Sequence, residues 1–274
     1  RQVMTLALQF ECLSEHIVKL DTENNHSIPL NDKETSAFLD ALNDFYRQSD
    51  FRKFFDQHSD VYANGILSFY NSVVSHIDPS WYSRFYGTQP NKDLHIVIGF
   101  ASGGNYYRAT RTRQGGPEEI FSIMYYAVDN NGRPLYDKSA VGTITEELCL
   151  SFIDIENNDV KTTLEKACEN VHRYTREKPI AAVTDKSIME ESLAYASAIY
   201  YLIDNGSSKK SIRKAVDEGI ERGFSWTPEL IKRIYYYTEN RKEFPTFASF
   251  YPEIIEFFKD YTANLGKTIL KVLR

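Results

Sequence analysis

At 274 residues the chain is long enough for one large domain or two small ones, and a 42% hydrophobic content separates it from disordered and collagen-like chains. A formal charge of −6 argues against a nucleic-acid binder, because phosphate contacts need a basic surface. No window reaches the ~18–20 apolar residues of a membrane span, and Cys12, Cys149 and Cys168 show neither C-x-x-C spacing nor the even count of a disulfide framework.

A chain that opens on Arg1 is expected to have lost a leader or tag. The run 3–18 mixes Val3, Leu6, Leu8, Phe10, Leu13 and Ile17, and we expect a helix there. After a polar turn over 21–31, a second helix starts at Asp32 with Asn31 or Asp32 as N-cap and Phe38, Leu42, Phe45 and Tyr46 along one side. A third covers 59–77 and stops at Asp78-Pro79, since a residue before proline is pushed out of the α region. Residues 81–87 predict a short helix closed by Gly87.

The period then changes. Leu94, Ile96, Ile98 and Phe100 alternate with His95, Val97 and Gly99, the pattern of a strand, and a second β-like run covers 120–128 before the turn 129–132. From Gly142 onward only helices are expected: 143–154, 161–176, 186–204, 208–223, 228–237 and 251–273, with Ser208 and Thr227-Pro228 placed as helix starts. With no repeat and no linker, the expectation is one α+β domain over 1–274, mostly helical, its small sheet within about 93–137. The 19 tyrosines and 17 phenylalanines fit helix packing first, and a sugar- or peptide-facing surface second.

Common nucleotide and hydrolase motifs are absent. Gly103-Gly104-Asn105 and Gly115-Gly116 belong to neither a Walker A loop nor a dinucleotide fingerprint. No G-x-S-x-G occurs, and the six histidines stand in unrelated contexts. Residues 143–154 differ, because Glu146 and Glu147 are set inside an apolar helical pattern of Ile144, Leu148, Phe152 and Ile155. Glu146 and Leu150 share the opposite side, so that face too is expected to be covered, with its carboxylates in a cleft or partnered. The plainer alternative is an ordinary amphipathic helix with surface glutamates.

Read as Glu146-Glu147-Leu148-Cys149-Leu150-Ser151-Phe152, the stretch resembles the H-E-F-x-H-S-F helix of a domain-of-unknown-function family of mostly secreted, zincin-like bacterial proteins related to glutamate-ligand metallopeptidases. Glu190-Glu191-Ser192-Leu193 resembles that family's N-E-S-L segment, and Ser102 to Tyr106, Phe51 to Phe55, Trp81 to Gly87 and Phe247 to Phe258 are weaker echoes. The resemblance implies a zincin-like fold and an extracytoplasmic location, periplasmic or at the cell surface. It puts Glu146 at the first histidine ligand, Glu147 at the general base, Leu150 at the second histidine and Glu191 at the third ligand. A shifted register, Thr145-Glu146-x-x-Cys149, would offer a thiolate in place of Leu150.

Leucine cannot bind a metal, and two carboxylates lack the imidazoles of a usual zinc site. The leading expectation is therefore a non-catalytic zincin-like protein with a decayed metal site and no cofactor, binding a peptide or other extended ligand near 94–100, with Gly103, Gly104, Asn105 and Tyr106 as accompanying binding residues. Two alternatives stand beside it: an active metallopeptidase with a carboxylate-rich site, and a helical interaction or carbohydrate-binding module using Tyr106-Tyr107 and Tyr235-Tyr236-Tyr237.

Overall fold

The structure, a computed structural model, describes residues 2–13, 16–22, 30–100, 106–132, 135–136, 139–153, 155, 162 and 188–272. It is α+β, mostly helical with two small sheets. The backbone falls into two compact units, one of 1–77 with 92–144 and the other of 78–91 with 145–274.

In the first unit the helix expected over 3–18 is corrected. Helix α1 (Gln2–Ala7) is short, and strands β1 (Phe10–Leu13) and β2 (His16–Lys19) follow as an antiparallel hairpin with Cys12 opposite Ile17. The mixed apolar spacing of that stretch has its cause here, since a short helix and two strands follow one another in it. The Asn43 side-chain oxygen accepts the Ile17 N–H at 2.8 Å and its amide donates to the Ile17 carbonyl at 2.9 Å, which ties the hairpin to helix α2 (Asp32–Gln48).

Asn31 caps α2 and forms a full capping box with Glu34. Its apolar side is only partly covered, because Phe38 and Phe45 stay exposed while Leu42 and Tyr46 are half-buried. Helix α3 (Phe51–Gln57), which periodicity did not separate from its neighbours, precedes α4 (Ser59–Ser72). The helix expected to continue to 77 breaks at Val73 (φ −125°, ψ −65°) and tightens into a 3-10 turn at Val74–His76.

The larger sheet has the order β3 (Lys92–Gly99), β5 (Glu118–Tyr125), β4 (Tyr107–Thr112). β3 runs parallel to β5 with Leu94 beside Ile120, and β4 is antiparallel with Arg111 beside Glu119. As the central strand, β5 buries Glu119 through Met124 without alternation. No strand was expected at β4, whose polar Arg108, Thr110, Arg111 and Thr112 mask the strand pattern. Arg111 forms two hydrogen bonds with Glu119, at 2.7 and 2.8 Å, and donates to the Leu8 carbonyl at 3.0 Å, so the charge inside the sheet is matched.

The second unit is built on aromatic helix packing. Helix α5 (Pro79–Tyr86) starts with Asp78 capping Ser80 and ends at Gly87, whose φ of 70° suits glycine. It buries Trp81, Tyr82, Phe85 and Tyr86, with Trp81 stacked on Phe85 at 4.5 Å and Tyr86 on Phe152 at 5.0 Å. Helix α6 (Ser139–Phe152), which begins in the first unit, is followed by α7 (Ile188–Asp204), α8 (Lys209–Glu221), α9 (Thr227–Glu239) and α10 (Tyr251–Val272). Ser208 caps α8 as expected, while α9 starts at Thr227 with Trp226 in the cap position and no side-chain cap. Leu193, Ala196 and Ile199 of α7, Leu230, Ile234 and Tyr237 of α9, and Ile254 and Phe258 of α10 are all buried. Apart from Thr162, the helix expected over 161–176 lies outside the described residues.

Candidate functional site

Glu146 lies on α6 one turn before Leu150, and both are buried, at 9% and 6% exposure. Glu147 is 1% exposed and Cys149 is fully covered. The alternative of surface glutamates is thereby corrected: both sides of this helix are enclosed, as the apolar residue at 150 implied. A carboxylate placed there must be matched by a partner.

For Glu146 that partner is Arg222. The guanidinium donates from Nη2 to Oε1 at 2.7 Å and from Nη1 to Oε2 at 2.9 Å, a two-pronged, charge-assisted pair. Arg222 closes α8, where the helix end favours a cation. Its guanidinium carbon stands 4.3 Å from the Tyr195 ring centre and 5.4 Å from that of Phe224. Tyr195 is fixed in turn by donating its hydroxyl to the Ala215 carbonyl at 2.8 Å. Gly219 leaves room for this ring, because a Cβ there would come within 2.7 Å of Tyr195 Cε1.

Burial opposes the charge on Arg222, but the hydrogen bonds and field of Glu146, then Tyr195 and Glu191, hold its pKa above the ordinary arginine value. Glu191 is half-buried in the first turn of α7, one turn before Tyr195 and on the same side of the helix. The two glutamates at the resemblance's ligand positions thus share the field of one guanidinium. The Tyr195 phenol is itself pushed up to about 12, by burial first, with Arg222 lowering and Glu146 raising it.

Cys149, the thiol of the shifted register, is fully buried. Burial pushes its pKa well up, against a lowering contact with the Tyr86 hydroxyl, which disfavours the thiolate that nucleophilic reaction needs. Of the loop residues, Gly103, Gly104 and Asn105 lie outside the described residues, and Tyr106 is half-buried. The tyrosine run at 235–237 divides: Tyr235 and Tyr236 are exposed, whereas Tyr237 is fully buried and donates its hydroxyl to the Phe85 carbonyl at 2.6 Å. Tyr236 lines an open groove of about 380 Å³ with Phe257 and Tyr261.

A family model described as Domain of unknown function (DUF4932) matches residues 3–257. The chain belongs to the DUF4932 family. No curated protein and no solved structure matches it. In this DUF4932 chain neither α6 nor α7 carries a histidine. Among the described residues no group of three or more His, Cys, Asp or Glu side chains is placed to hold a metal ion. Zinc needs four donors, and here position 150 offers none while both oxygens of Glu146 are engaged by an arginine, so the residues do not fit a zinc site. Arg222 was missed by sequence reasoning. It stands 76 positions from its partner, and the only signal was a basic residue at the end of an expected helix.

Proposed function

We propose that this DUF4932 protein is a non-catalytic zincin-like protein whose metal site has decayed, acting outside the cytoplasm by binding a peptide or other extended ligand. The observation that carries this reading is the arginine fork on Glu146, at 2.7 and 2.9 Å, one helical turn from a buried leucine. With both oxygens bonded to a guanidinium, the charge of Glu146 is already matched by a cation of the chain itself. The extended-ligand part is supported by β3, which stands at the edge of its sheet with Asp93, His95 and Val97 exposed along it. Edge strands accept extended peptides through their main-chain groups.

Immobilised protein is incubated with a peptide library, and both retention and cleavage are read by mass spectrometry. The expected result is retained, uncut peptides. Chelator-sensitive cleavage that Glu147→Gln abolishes would establish the metallopeptidase alternative instead, and a library neither retained nor cut would remove the peptide ligand. A second reading, glycan binding, is favoured by exposed Tyr236 in its groove with Phe257 and Tyr261, since aromatic faces stack well on sugar rings.

A further inference from the structure

We propose that the outer face of α3 and α4 is a homodimer interface, at which two copies of this chain pair about a twofold axis. The face belongs to the first compact unit, so the inference is independent of the decayed-site reading.

The inner side of α4 is already seated. Phe69 and Val73 are buried, Tyr62 meets the Phe100 ring edge-on at 4.9 Å, and a Cβ on Gly65 would come within 2.7 Å of that ring. On the other side Ala63, Ile66, Leu67 and Tyr70 recur at i, i+3, i+4 and i+7, and all four are exposed. This is a second apolar stripe, of the kind a helix turns toward another helix. α3 extends it, because Phe55 stacks at 4.6 Å on Tyr62, which stands one turn before Ile66. Exposed Phe51 in turn meets Phe54 and, at the end of α2, Phe45.

Size and charge name the occupant. The four exposed phenylalanines of this face, with Ile66, Leu67 and Tyr70, are 37% to 59% exposed. At ~150–200 Å² per side chain, that leaves roughly 500–700 Å² of apolar surface in water. The largest apolar patch of an ordinary monomer is about 300–600 Å², and a specific interface takes about 1,200–2,000 Å² from its two partners together. Two such faces reach that range. From 61 to 77 the chain holds no Asp, Glu, Lys or Arg. Nearer α3 the charges are matched locally, Asp44 by Arg47, Asp50 by Lys53 and Asp56 by Arg52. A face so neutral offers nothing to select a strongly charged partner, and lacks the basic rim with which helices hold an anionic membrane. It suits an uncharged face like itself, and lets two chains of charge −6 meet without like charges opposed across the contact.

Sedimentation equilibrium of the full chain, from low-micromolar to sub-millimolar concentration, tests this. The expected result is a species of twice 31.7 kDa that persists in molar salt. Leu67→Glu, which puts a carboxylate in the middle of the stripe, should raise the dimer Kd at least about thirtyfold and keep the far-UV circular dichroism of the unmodified chain. Tyr70→Asp carries the same comparison if Leu67→Glu does not fold. A monomer at every concentration, a dimer dissolved by salt, or a dimer that neither variant weakens would overturn the proposal. A monomeric chain that pellets with phosphatidylcholine vesicles, and no longer does so as Leu67→Glu, would assign the face to a lipid surface instead.

Discussion

Glu119 shows what a matched buried carboxylate looks like elsewhere in the same chain. It takes two hydrogen bonds from Arg111, has Arg113 at 3.5 Å and His95 Nε2 at 3.2 Å, and lies in the central strand of the sheet. The Arg111 hydrogen bonds hold its pKa below the usual carboxylate range, against the upward push of burial. A carboxyl lowered on folding stabilises the folded state fully above its unfolded pKa of about 4.3, and that contribution fades as the pH falls through the folded value. Glu119→Gln is therefore predicted to cost about 3 kcal/mol near neutrality, where it strands the buried Arg111, and to flatten the acid decline in stability. Urea unfolding from pH 7 down to pH 3 reads both effects, and an unchanged acid decline in the variant would contradict the assignment. Arg222 and Glu146 repeat the pattern in the second unit. At this scale the sequence was half legible: Glu146, Glu191 and Leu150 were found from spacing and resemblance, but Arg222 was not, because only tertiary packing brings residue 222 to residue 146.

Elements marked by local chemistry were the readable ones. Asn31 and Glu34 announce the start of α2, Asp78-Pro79 and Gly87 bracket α5, and Ser208 opens α8; each acts through its own backbone or the next turn, so no long-range information is needed. Elements that depend on a neighbour were lost. The β1–β2 hairpin is stabilised by Asn43 from α2, and β4 owes its strand state to β5, whose Glu119 neutralises an arginine that carries no strand signal of its own. Gly87 permits a direct check at this level. Its φ of 70° and the Pro245 carbonyl 2.3 Å from where a Cβ would lie make Gly87→Ala costly twice over. A loss of more than about 2 kcal/mol is predicted, read by chemical denaturation, and a neutral variant would show that the α5 turn is not as described.

Across the molecule, a family match over residues 3–257 takes in residues of both compact units, so one family model spans the two. The first is a sheet with its hairpin and helices, and the second an aromatic helical body in which Trp226, Tyr82, Tyr86 and Tyr237 are buried outright. That use of aromatics was legible from composition alone. The chemistry of the helical body was not, since a pair of glutamates on a buried helix fits a metal site, an acid–base pair or an ion pair equally well until the partner is seen. With Arg222 in place the third applies to Glu146, and this is the observation on which the proposal of a decayed metal site rests. Zinc content and affinity of the purified full chain test that most directly, by elemental analysis after zinc loading and by calorimetric titration. The prediction is no stoichiometric, tightly held zinc; one zinc per chain, lost on Glu146→Gln or Glu191→Gln, would contradict it.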